Sequence, residues 1–431
     1  MKTKIGVFGL WHLGCTISVS WSNLGYPVVG FENDKKIIDA LNNGEPPIFE
    51  PFLKENMLTN IENGLLSFTS DQDDLSDCDF VFVTYDTPVD EDDISDTTIV
   101  ENSIKQLSGI MKDQAVIIVS SQSPVGFISQ MRILLKDKNE TLEIAYSPEN
   151  LRLGEAIDCY LNPGRIILGT STKATEEKCV ELFKNITDDI LCMSIESSEM
   201  VKHGINSFLA TSIVFTNHLA DICEENNASI DDVVRGLKSD PRIGMKAYLS
   251  PGIGFSGGTL GRDLKVLAIK NQLANGYGKL FGFIHKSNNE RKLSIVDKVK
   301  KIVNPIKGIT IGVLGLTYKP GTSTLRRSLP MEIVNILIEE GAVIKVYDPK
   351  ANYAEINSEI NFQIVDNVIE ASKNADILIL LTEWDEFKKY DWSGIAPQMK
   401  NPNFFDTKNC LNKENMYQNG FKYYSIGRNN S

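Results

Sequence analysis

Several features are scarce or missing in this sequence of 431 residues, and each absence excludes a class of function. Only four histidines occur, and none is paired at metal-ligand spacing, so we expect no metal site. The seven cysteines are odd in number and show no paired spacing, which is typical of reduced thiols rather than of disulfides. No apolar run approaches the length of a membrane span, and the first residues lead directly into a strand pattern without signal-peptide features. We therefore expect a cytoplasmic protein that does not insert into a membrane.

An excess of positive charge is also missing, because the formal net charge is −13 at pH 7. This balance argues against a nucleic-acid partner, and an anionic ligand would need local Lys, Arg and backbone amides. The content of 42% hydrophobic and 23% charged residues is ordinary for a soluble globular protein. The length allows two or three domains with full cores.

What the sequence does contain is an internal near-repeat. The segments Ile5–Leu10 and Ile311–Leu316 read IGVFGL and IGVLGL, and a helical pattern follows each. A short apolar run that ends in glycine before a helix is typical of the first strand of a doubly wound α/β domain. The sequence therefore predicts two Rossmann-like domains, whose ligands bind at the carboxyl ends of the strands.

The pattern between the two copies predicts the domain organisation. Strand-like runs alternate with helices up to about residue 195, and again from Lys307 onward, which indicates mostly parallel sheets. Between them, one long helix begins at Ser198 and extends to about Glu225, with further helical pattern up to about Val303. We predict an N-terminal domain over 1–197, a helical middle domain over 198–304 and a C-terminal domain over 305–431. The strand predictions are 27–32, 79–84, 115–120, 143–146, 165–169, 309–315, 342–347, 376–382 and 403–406.

The first turn resembles a dinucleotide-binding GxGxxG turn with one exception. Gly9 and Gly14 hold the outer positions, but Trp11 replaces the middle glycine, which normally lets the backbone approach a pyrophosphate. The turn can still present amides at a helix N-terminus. Glu32 ends the second strand pattern, where a carboxylate can accept the ribose hydroxyls and repel a 2′-phosphate, so we expect NAD rather than NADP. The alternative is a doubly wound domain that binds nothing here.

A second candidate site lies on the long helix and in a downstream loop. Lys202 and Asn206 are four residues apart, so they share a helix face and can form an oxyanion clamp. The alternative is a solvated Lys beside a surface or capping Asn. Five glycines occur within Pro251–Asp263, a density that indicates close approach of a ligand to the backbone or, alternatively, a flexible loop.

A third candidate is Glu149, directly after a predicted strand. A carboxylate at a strand's carboxyl end can act as a base on a ligand above the sheet, although it can equally be an exposed loop residue. A lysine, two carboxylates and a dinucleotide fold together suggest alcohol oxidation by hydride transfer.

Taken together, these stretches resemble the nucleotide-sugar 6-dehydrogenase family of UDP-glucose and UDP-N-acetylmannosamine dehydrogenases, over nearly the whole chain. The motifs that carry the resemblance are Gly44–Pro51, Thr87–Pro88, Pro124–Gly126, Ser147–Glu149, Ser198–Lys202, Asn206 with Phe208–Ala210, Asp240–Gly244, Pro251–Asp263, Tyr318–Pro320 with Arg326 and Ser328, Tyr347–Pro349, Thr382–Trp384 and Asp406.

The resemblance implies oxidation of a sugar C6 alcohol to a carboxylate with two NAD. It implies NAD on the N-terminal domain, the sugar nucleotide on the C-terminal domain and a homodimer through the middle domain. The implied catalytic residues are Glu149 as acid–base, Lys202 and Asn206 as oxyanion and water contacts, Thr259 at the nucleophile position and Asp263 as water activator. The implied cofactor contacts are Gly9, Trp11, His12, Leu13, Glu32, Thr87, Ser121 and Arg326. The implied substrate contacts are Arg242, which can reach across the dimer, and Tyr248, Gly254, Gly257, Arg262, Tyr318 and Lys319.

Departures from the family pattern bear on the second half of the reaction. Thr259 stands where the family has a cysteine that attacks the aldehyde intermediate, and a hydroxyl is a far weaker nucleophile than a thiolate. Water activated near Asp263 and Lys202 could instead hydrate the aldehyde, the enzyme could stop at the aldehyde, or activity could be lost. The other departures are Trp11, Asp86 where glycine is usual, Leu153 where a glutamate is frequent and Arg262 in place of lysine.

We therefore predict a cytoplasmic, dimeric, NAD-dependent oxidoreductase that acts on a nucleotide sugar, with UDP as the expected nucleotide, and whose product feeds polysaccharide biosynthesis. The alternatives are a two-electron dehydrogenase that releases an aldehyde, and a nucleotide-sugar-binding protein without turnover.

Overall fold

The computed structural model describes residues 3–88, 95–148, 151–152, 154–256, 258–273, 279–356 and 361–428. The chain divides into two compact units, Met1–Gly204 and Ile205–Ser431. Each unit is built around one sheet, and helix α8 (Ile195–Glu225) runs through the boundary.

Within the described residues, the first unit has eight strands and seven α-helices before α8. The strands are β1 (Ile5–Phe8), β2 (Val28–Phe31), β3 (Leu66–Thr69), β4 (Phe80–Val83), β5 (Val116–Val119), β6 (Glu143–Tyr146), β7 (Ile166–Gly169) and β8 (Ile190–Met193). The helices are α1 (His12–Asn23), α2 (Lys35–Asn42), α3 (Leu53–Glu62), α4 (Thr98–Ile110), α5 (Phe127–Lys138), α6 (Ala156–Leu161) and α7 (Lys173–Phe183).

The sheet of the first unit has the order β3-β2-β1-β4-β5-β6-β7-β8, and its pairs are parallel except β6 with β7. Successive residues of one strand face opposite sides, so Val7 lies in one buried apolar cluster and Phe8 in another. Both faces of the sheet are therefore covered by helices, which explains why the central strands are continuously apolar.

The described part of the second unit contains six strands and seven α-helices after α8. The strands are β9 (Thr310–Leu314), β10 (Val343–Tyr347), β11 (Gln363–Ile364), β12 (Ile377–Leu380), β13 (Asn403–Asp406) and β14 (Lys422–Ser425). The helices are α9 (Ile230–Ser239), α10 (Thr259–Leu273), α11 (Leu280–Ile302), α12 (Leu329–Glu339), α13 (Val368–Ser372), α14 (Asp385–Lys389) and α15 (Lys413–Gln418).

The second sheet repeats the strand order of the first. Its order β11-β10-β9-β12-β13-β14 matches β3-β2-β1-β4-β5-β6, and all its pairs are parallel. Ile311 at the start of the second near-copy pairs with β10 and β12, as Ile5 pairs with β2 and β4. The prediction of two Rossmann-like domains with a helical region between them is confirmed. In both sheets the strand order reverses beside the repeated strand, which is where such folds bind ligands.

Candidate active site

The first turn of the N-terminal sheet needs both of its outer glycines. Gly9 has a φ of +105°, in the left-handed region that favours glycine, and a Cβ added there would lie 2.9 Å from the Tyr85 ring. A Cβ on Gly14 would lie 1.8 Å from the carbonyl oxygen of Gly9, so helix and strand are in direct backbone contact. Because α1 begins at His12, its first amides lie at the carboxyl edge of the sheet and can bind phosphate.

Glu32 lies at the same edge, directly after β2. Its Oε2 accepts a hydrogen bond of 3.2 Å from the Leu10 amide, and its Oε1 accepts one of 3.0 Å from the Tyr85 hydroxyl. The carboxylate is therefore fixed beside the turn after β1 rather than exposed on a loop. This is the position from which a carboxylate can reach an adenosine ribose.

The other predicted cofactor contacts of this unit occupy neighbouring loops. The Thr87 hydroxyl donates to the carbonyl of Gln122 at 2.9 Å, and the Ser121 hydroxyl donates to the carbonyl of Val83 at 3.3 Å. Both side chains are buried, and these bonds join the loop after β4 to the loop after β5.

The middle of the GxGxxG turn is occupied differently from a standard one. Trp11 precedes the first residue of α1 and its side chain is 47% exposed, while Leu13 packs against the core. The His12 ring lies 3.0 Å from Oε2 of Glu50, so its imidazole is engaged within the protein. Backbone amides, rather than the His12 ring, are what this segment offers to a phosphate.

Glu50 is a site residue that the sequence reasoning left without a role. It is 3% exposed, and it also accepts hydrogen bonds from the amides of Gly154 at 3.0 Å and Ala156 at 2.8 Å. It thereby ties the start of α6 to the end of the GEPPIFEP segment. The sequence motif contains this glutamate, but the amides that it binds lie about a hundred residues further along the chain. Glu149, the predicted base, lies outside the described residues.

Lys202 is held between two buried anchors on α8. The Glu199 carboxylate accepts hydrogen bonds from the amides of Gly126 at 2.6 Å and Ile128 at 3.0 Å, and it caps α5. The His203 ring lies 3.0 Å from the carbonyl of Ser123. Burial raises the pKa of the Glu199 carboxyl, while these backbone bonds act in the opposite direction. Lys202 is itself buried, and the bonds of Glu199 and His203 fix its turn of α8 against the segment that follows β5.

In the second unit, two predicted catalytic residues are in direct contact. The Asn206 amide donates to Oδ2 of Asp263 at 2.5 Å, and the two side chains are 7% and 0% exposed. Thr259 is the first residue of α10, one helical turn before Asp263, and its side chain is exposed. A buried amide–carboxylate pair one turn below an exposed hydroxyl is an arrangement that can bind and polarise a water molecule.

The glycine loop is shaped by two asparagines and an arginine that the sequence reasoning missed. Asn288 accepts a hydrogen bond from the Phe255 amide at 2.8 Å and donates one to the Phe255 carbonyl at 2.9 Å. Asn217 accepts from the Gly252 amide at 2.8 Å, and Arg291 donates to the Gly252 carbonyl at 3.1 Å. All three come from α8 or α11. In the sequence, these three residues could have been recognised only as polar residues on otherwise apolar helix faces.

Gly254 is predicted to contact substrate, and its conformation is specific. Its φ is +106°, and a Cβ added there would lie 2.6 Å from Oδ1 of Asn288. A side chain at this position would therefore displace the amide that holds the loop. Gly257 lies outside the described residues.

The loop also touches the carboxyl edge of the second sheet. The Leu329 amide, at the start of α12, donates to Oγ of Ser256 at 3.2 Å. Tyr318 and Lys319 follow β9 at this edge, and Lys319 Nζ lies 5.7 Å from the centre of the Tyr318 ring. Burial lowers the pKa of Lys319. The second sheet's ligand edge thus meets the glycine loop within one unit.

Four further predicted contacts differ in their exposure. Arg242 is exposed and forms a two-point contact with Asp240 at 3.0 and 2.7 Å, and Tyr248 is 54% exposed. Arg326 is exposed in the loop before α12, and Arg262 is partly buried on α10. In the part of the chain that the structure describes, no group of three or more His, Cys, Asp or Glu side chains is arranged to hold a metal ion. Within the same residues, no helix combines the length and apolarity needed to cross a bilayer.

Two doubly wound sheets, each with a carboxyl edge of the kind that binds nucleotides, and a polar glycine loop define a class of protein, the two-domain dinucleotide-dependent oxidoreductases. Family models agree: residues 3–187 match the NAD binding domain of the UDP-glucose/GDP-mannose dehydrogenase family, residues 196–290 its central domain and residues 312–413 its UDP binding domain.

Similar proteins span the same length as this chain. The UDP-glucose 6-dehydrogenase of Rickettsia felis is 34% identical, covering 98% of this chain and 96% of the relative. The UDP-glucose 6-dehydrogenase YwqF of Bacillus subtilis is 32% identical, covering 99% and 98%. Two solved structures, both 23% identical, share the fold with a TM-score of 0.86. They are a UDP-D-ManNAc dehydrogenase from Pyrococcus horikoshii, covering 100% of both chains, and a UDP-glucose dehydrogenase from Pyrobaculum islandicum, covering 99% of this chain and 98% of the other.

The chain belongs to the UDP-glucose/GDP-mannose dehydrogenase family. It is an NAD-dependent nucleotide-sugar dehydrogenase, and the predicted family, enzyme class and cofactor are confirmed.

Proposed function

We propose that this enzyme oxidises the C6 alcohol of a UDP-linked sugar to the uronic acid and reduces two NAD for each sugar. The observation that carries this proposal is the buried contact between Asn206 and Asp263 one turn below Thr259, since these are the groups that the second oxidation needs. The identities of the Rickettsia and Bacillus relatives support the reaction class.

The residues at the first sheet edge fit NAD. The turn at Gly9, the α1 amides and the Glu32 carboxylate would hold its pyrophosphate and adenosine ribose, and Thr87 and Ser121 line the adjoining loops. When bound, NAD supplies the hydride acceptor for each two-electron oxidation. Arg326, on the exposed loop before α12, is proposed as a further cofactor contact.

In the first oxidation, the C6 hydroxyl loses its proton and C6 loses a hydride. Lys202 and Asn206 stabilise the negative charge that develops on the oxygen, because one supplies a positive charge and the other an amide donor. Glu149 takes the proton, directly or through water. The Glu199 and His203 anchors hold Lys202 in place for this task.

In the second oxidation, water adds to the aldehyde to give a gem-diol, which loses a second hydride and becomes the acid. Asp263 orients and deprotonates this water with the help of Asn206, so that no thiol is needed at Thr259. The alternative outcome, release of the aldehyde after one oxidation, is favoured by the Thr259 hydroxyl, which is too weak a nucleophile to replace a thiolate.

The sugar nucleotide is proposed to bind along the second sheet edge and the glycine loop. Tyr318 and Lys319 would contact the uridine diphosphate, and Gly254, Gly257 and Arg262 the sugar and its phosphates. Tyr248 and Arg242 are exposed, which fits contacts made from a neighbouring subunit.

We propose a homodimer that forms through α8. Phe208, Phe215 and Ile222 are 71%, 49% and 56% exposed, and they recur every seven residues along one face of the helix. Large apolar side chains at that spacing are typical of a helix that is covered by a partner. We place the enzyme in the cytoplasm, where its seven free cysteines remain reduced, in the supply of sugar acids for polysaccharides.

The test is NADH formation with UDP-glucose, UDP-N-acetylglucosamine, UDP-N-acetylmannosamine and UDP-galactose. We expect one of these to be oxidised, and Lys202→Ala and Asn206→Ala to lower kcat about a hundredfold or more while sugar binding persists. Lys238→Ala, on the surface of α9, is the matched control and should leave kcat unchanged. Tight binding of a UDP-sugar without any NADH would contradict the proposal and indicate a binding protein.

A further inference from the structure

Tyr85 lies at the carboxyl edge of the first sheet, between β1 and β4, where the strand order reverses. It follows β4, next to β1 and the turn at Gly9. A Cβ on Gly9 would lie 2.9 to 3.0 Å from three atoms of the Tyr85 ring, so the ring rests on the glycine. The Phe8 ring meets it edge-on, with 5.9 Å between ring centres. The Tyr85 ring is therefore fixed by packing at the sheet edge where the cofactor is proposed to bind.

The hydroxyl of Tyr85 fixes the carboxylate of Glu32. Oε1 of Glu32 accepts from Tyr85 at 3.0 Å and from the Asn33 amide at 2.8 Å, while Oε2 accepts from the Leu10 amide at 3.2 Å. Three donors on two oxygens prevent the carboxylate from rotating away. Burial and the neighbouring Glu32 charge raise the pKa of Tyr85, so its hydroxyl keeps the proton that it donates.

A free glutamate could swing aside and let a 2′-phosphate enter the ribose site. A glutamate held by three donors cannot, and its charge then repels the phosphate. We propose that Tyr85 is the residue that sets cofactor selectivity, because it locks Glu32 in the position that accepts the ribose hydroxyls of NAD and excludes NADP. This inference rests on the proposed ribose role of Glu32.

The test is equilibrium binding of NAD and NADP to the full-length protein, by calorimetry, without sugar or turnover. Tyr85→Phe keeps the ring on Gly9 and removes only the hydroxyl. We expect NAD to bind a fewfold more weakly and the ratio of NAD to NADP affinity to fall about tenfold, as one bond to a charged group is lost. Tyr26→Phe removes a hydroxyl just before β2, at the opposite end of the same sheet, and should leave the ratio unchanged.

Glu32→Gln distinguishes the two ways in which the inference can fail. If Glu32→Gln lowers the ratio and Tyr85→Phe does not, Glu32 selects the cofactor without Tyr85 and the inference is overturned. If neither variant changes the ratio, the ribose role proposed for Glu32 is wrong as well. A fall in both variants, with Tyr26→Phe at the wild-type ratio, supports the inference.

Discussion

Replacing Asn288 by alanine tests whether the glycine loop is held in shape by its buried hydrogen bonds. Asn288 is 3% exposed, and its amide makes both of its bonds to the backbone of Phe255, which is 8% exposed. Asn288→Ala leaves one buried N–H and one buried C=O unpaired. Each costs about 1–3 kcal/mol, so we expect a loss of about 2–6 kcal/mol in the free energy of unfolding.

The same substitution should weaken the substrate site. Without Asn288, Gly254 and Phe255 can relax, and the loop no longer presents one backbone conformation to the sugar. We expect the KM for the UDP-sugar to rise more than kcat falls, because Asn206 and Asp263 do not depend on this amide. NAD affinity should stay at the wild-type value.

Urea unfolding and steady-state kinetics measure these two effects. Asn289→Ala is the matched control, since Asn289 is the exposed neighbour on α11 and its side chain makes a 3.4 Å contact with the His285 ring. It should change stability by less than about 0.5 kcal/mol. If Asn288→Ala behaves like Asn289→Ala in both assays, our account of the loop is wrong.

Two further predictions concern the N-terminal unit. Gly14→Ala should abolish NAD binding or folding of this unit, because its Cβ would lie 1.8 Å from the Gly9 carbonyl oxygen. Gly109→Ala on α4 is the control, since open space surrounds this position and the variant should be tolerated. Calorimetric NAD titration and thermal melts distinguish the two variants. The second concerns pH. Burial raises the pKa of Glu199 above 4.5, so the folded state holds this proton more tightly than the unfolded state. The stability that results is complete below pH 4.5 and is lost as the pH rises through the raised pKa. The unfolding free energy of wild type should therefore decline relative to Glu199→Gln across that range, by at most about 1.4 kcal/mol per pH unit, and parallel curves would contradict the shift.

The central strands could be predicted from the sequence because burial on both faces makes them continuously apolar. The predicted runs 79–84 and 376–382 contain β4 and β12, and the repeated IGV segments are β1 and β9. Edge strands were missed. β3 reads LSFT and β14 reads KYYS, and in both strands buried residues alternate with exposed or half-buried ones, so neither is a continuously apolar run.

The site could be predicted only where a residue's type and local spacing carry its chemistry. Lys202, Asn206 and Asp263 were proposed in this way, and the structure brings Asn206 and Asp263 into contact, while their catalytic roles stay predictions. Glu50 and Asn288 could not be found, because the backbone groups to which they hydrogen-bond are distant in sequence. A buried polar side chain gives no local sign of which N–H it will accept from.

The number of NADH molecules formed per UDP-sugar consumed tests the central claim most directly. We predict two, with the uronic acid as product, because Asp263 and Asn206 supply an activated water that makes a thiol at Thr259 unnecessary. One NADH per sugar, with an aldehyde that can be trapped by a hydroxylamine, would contradict it.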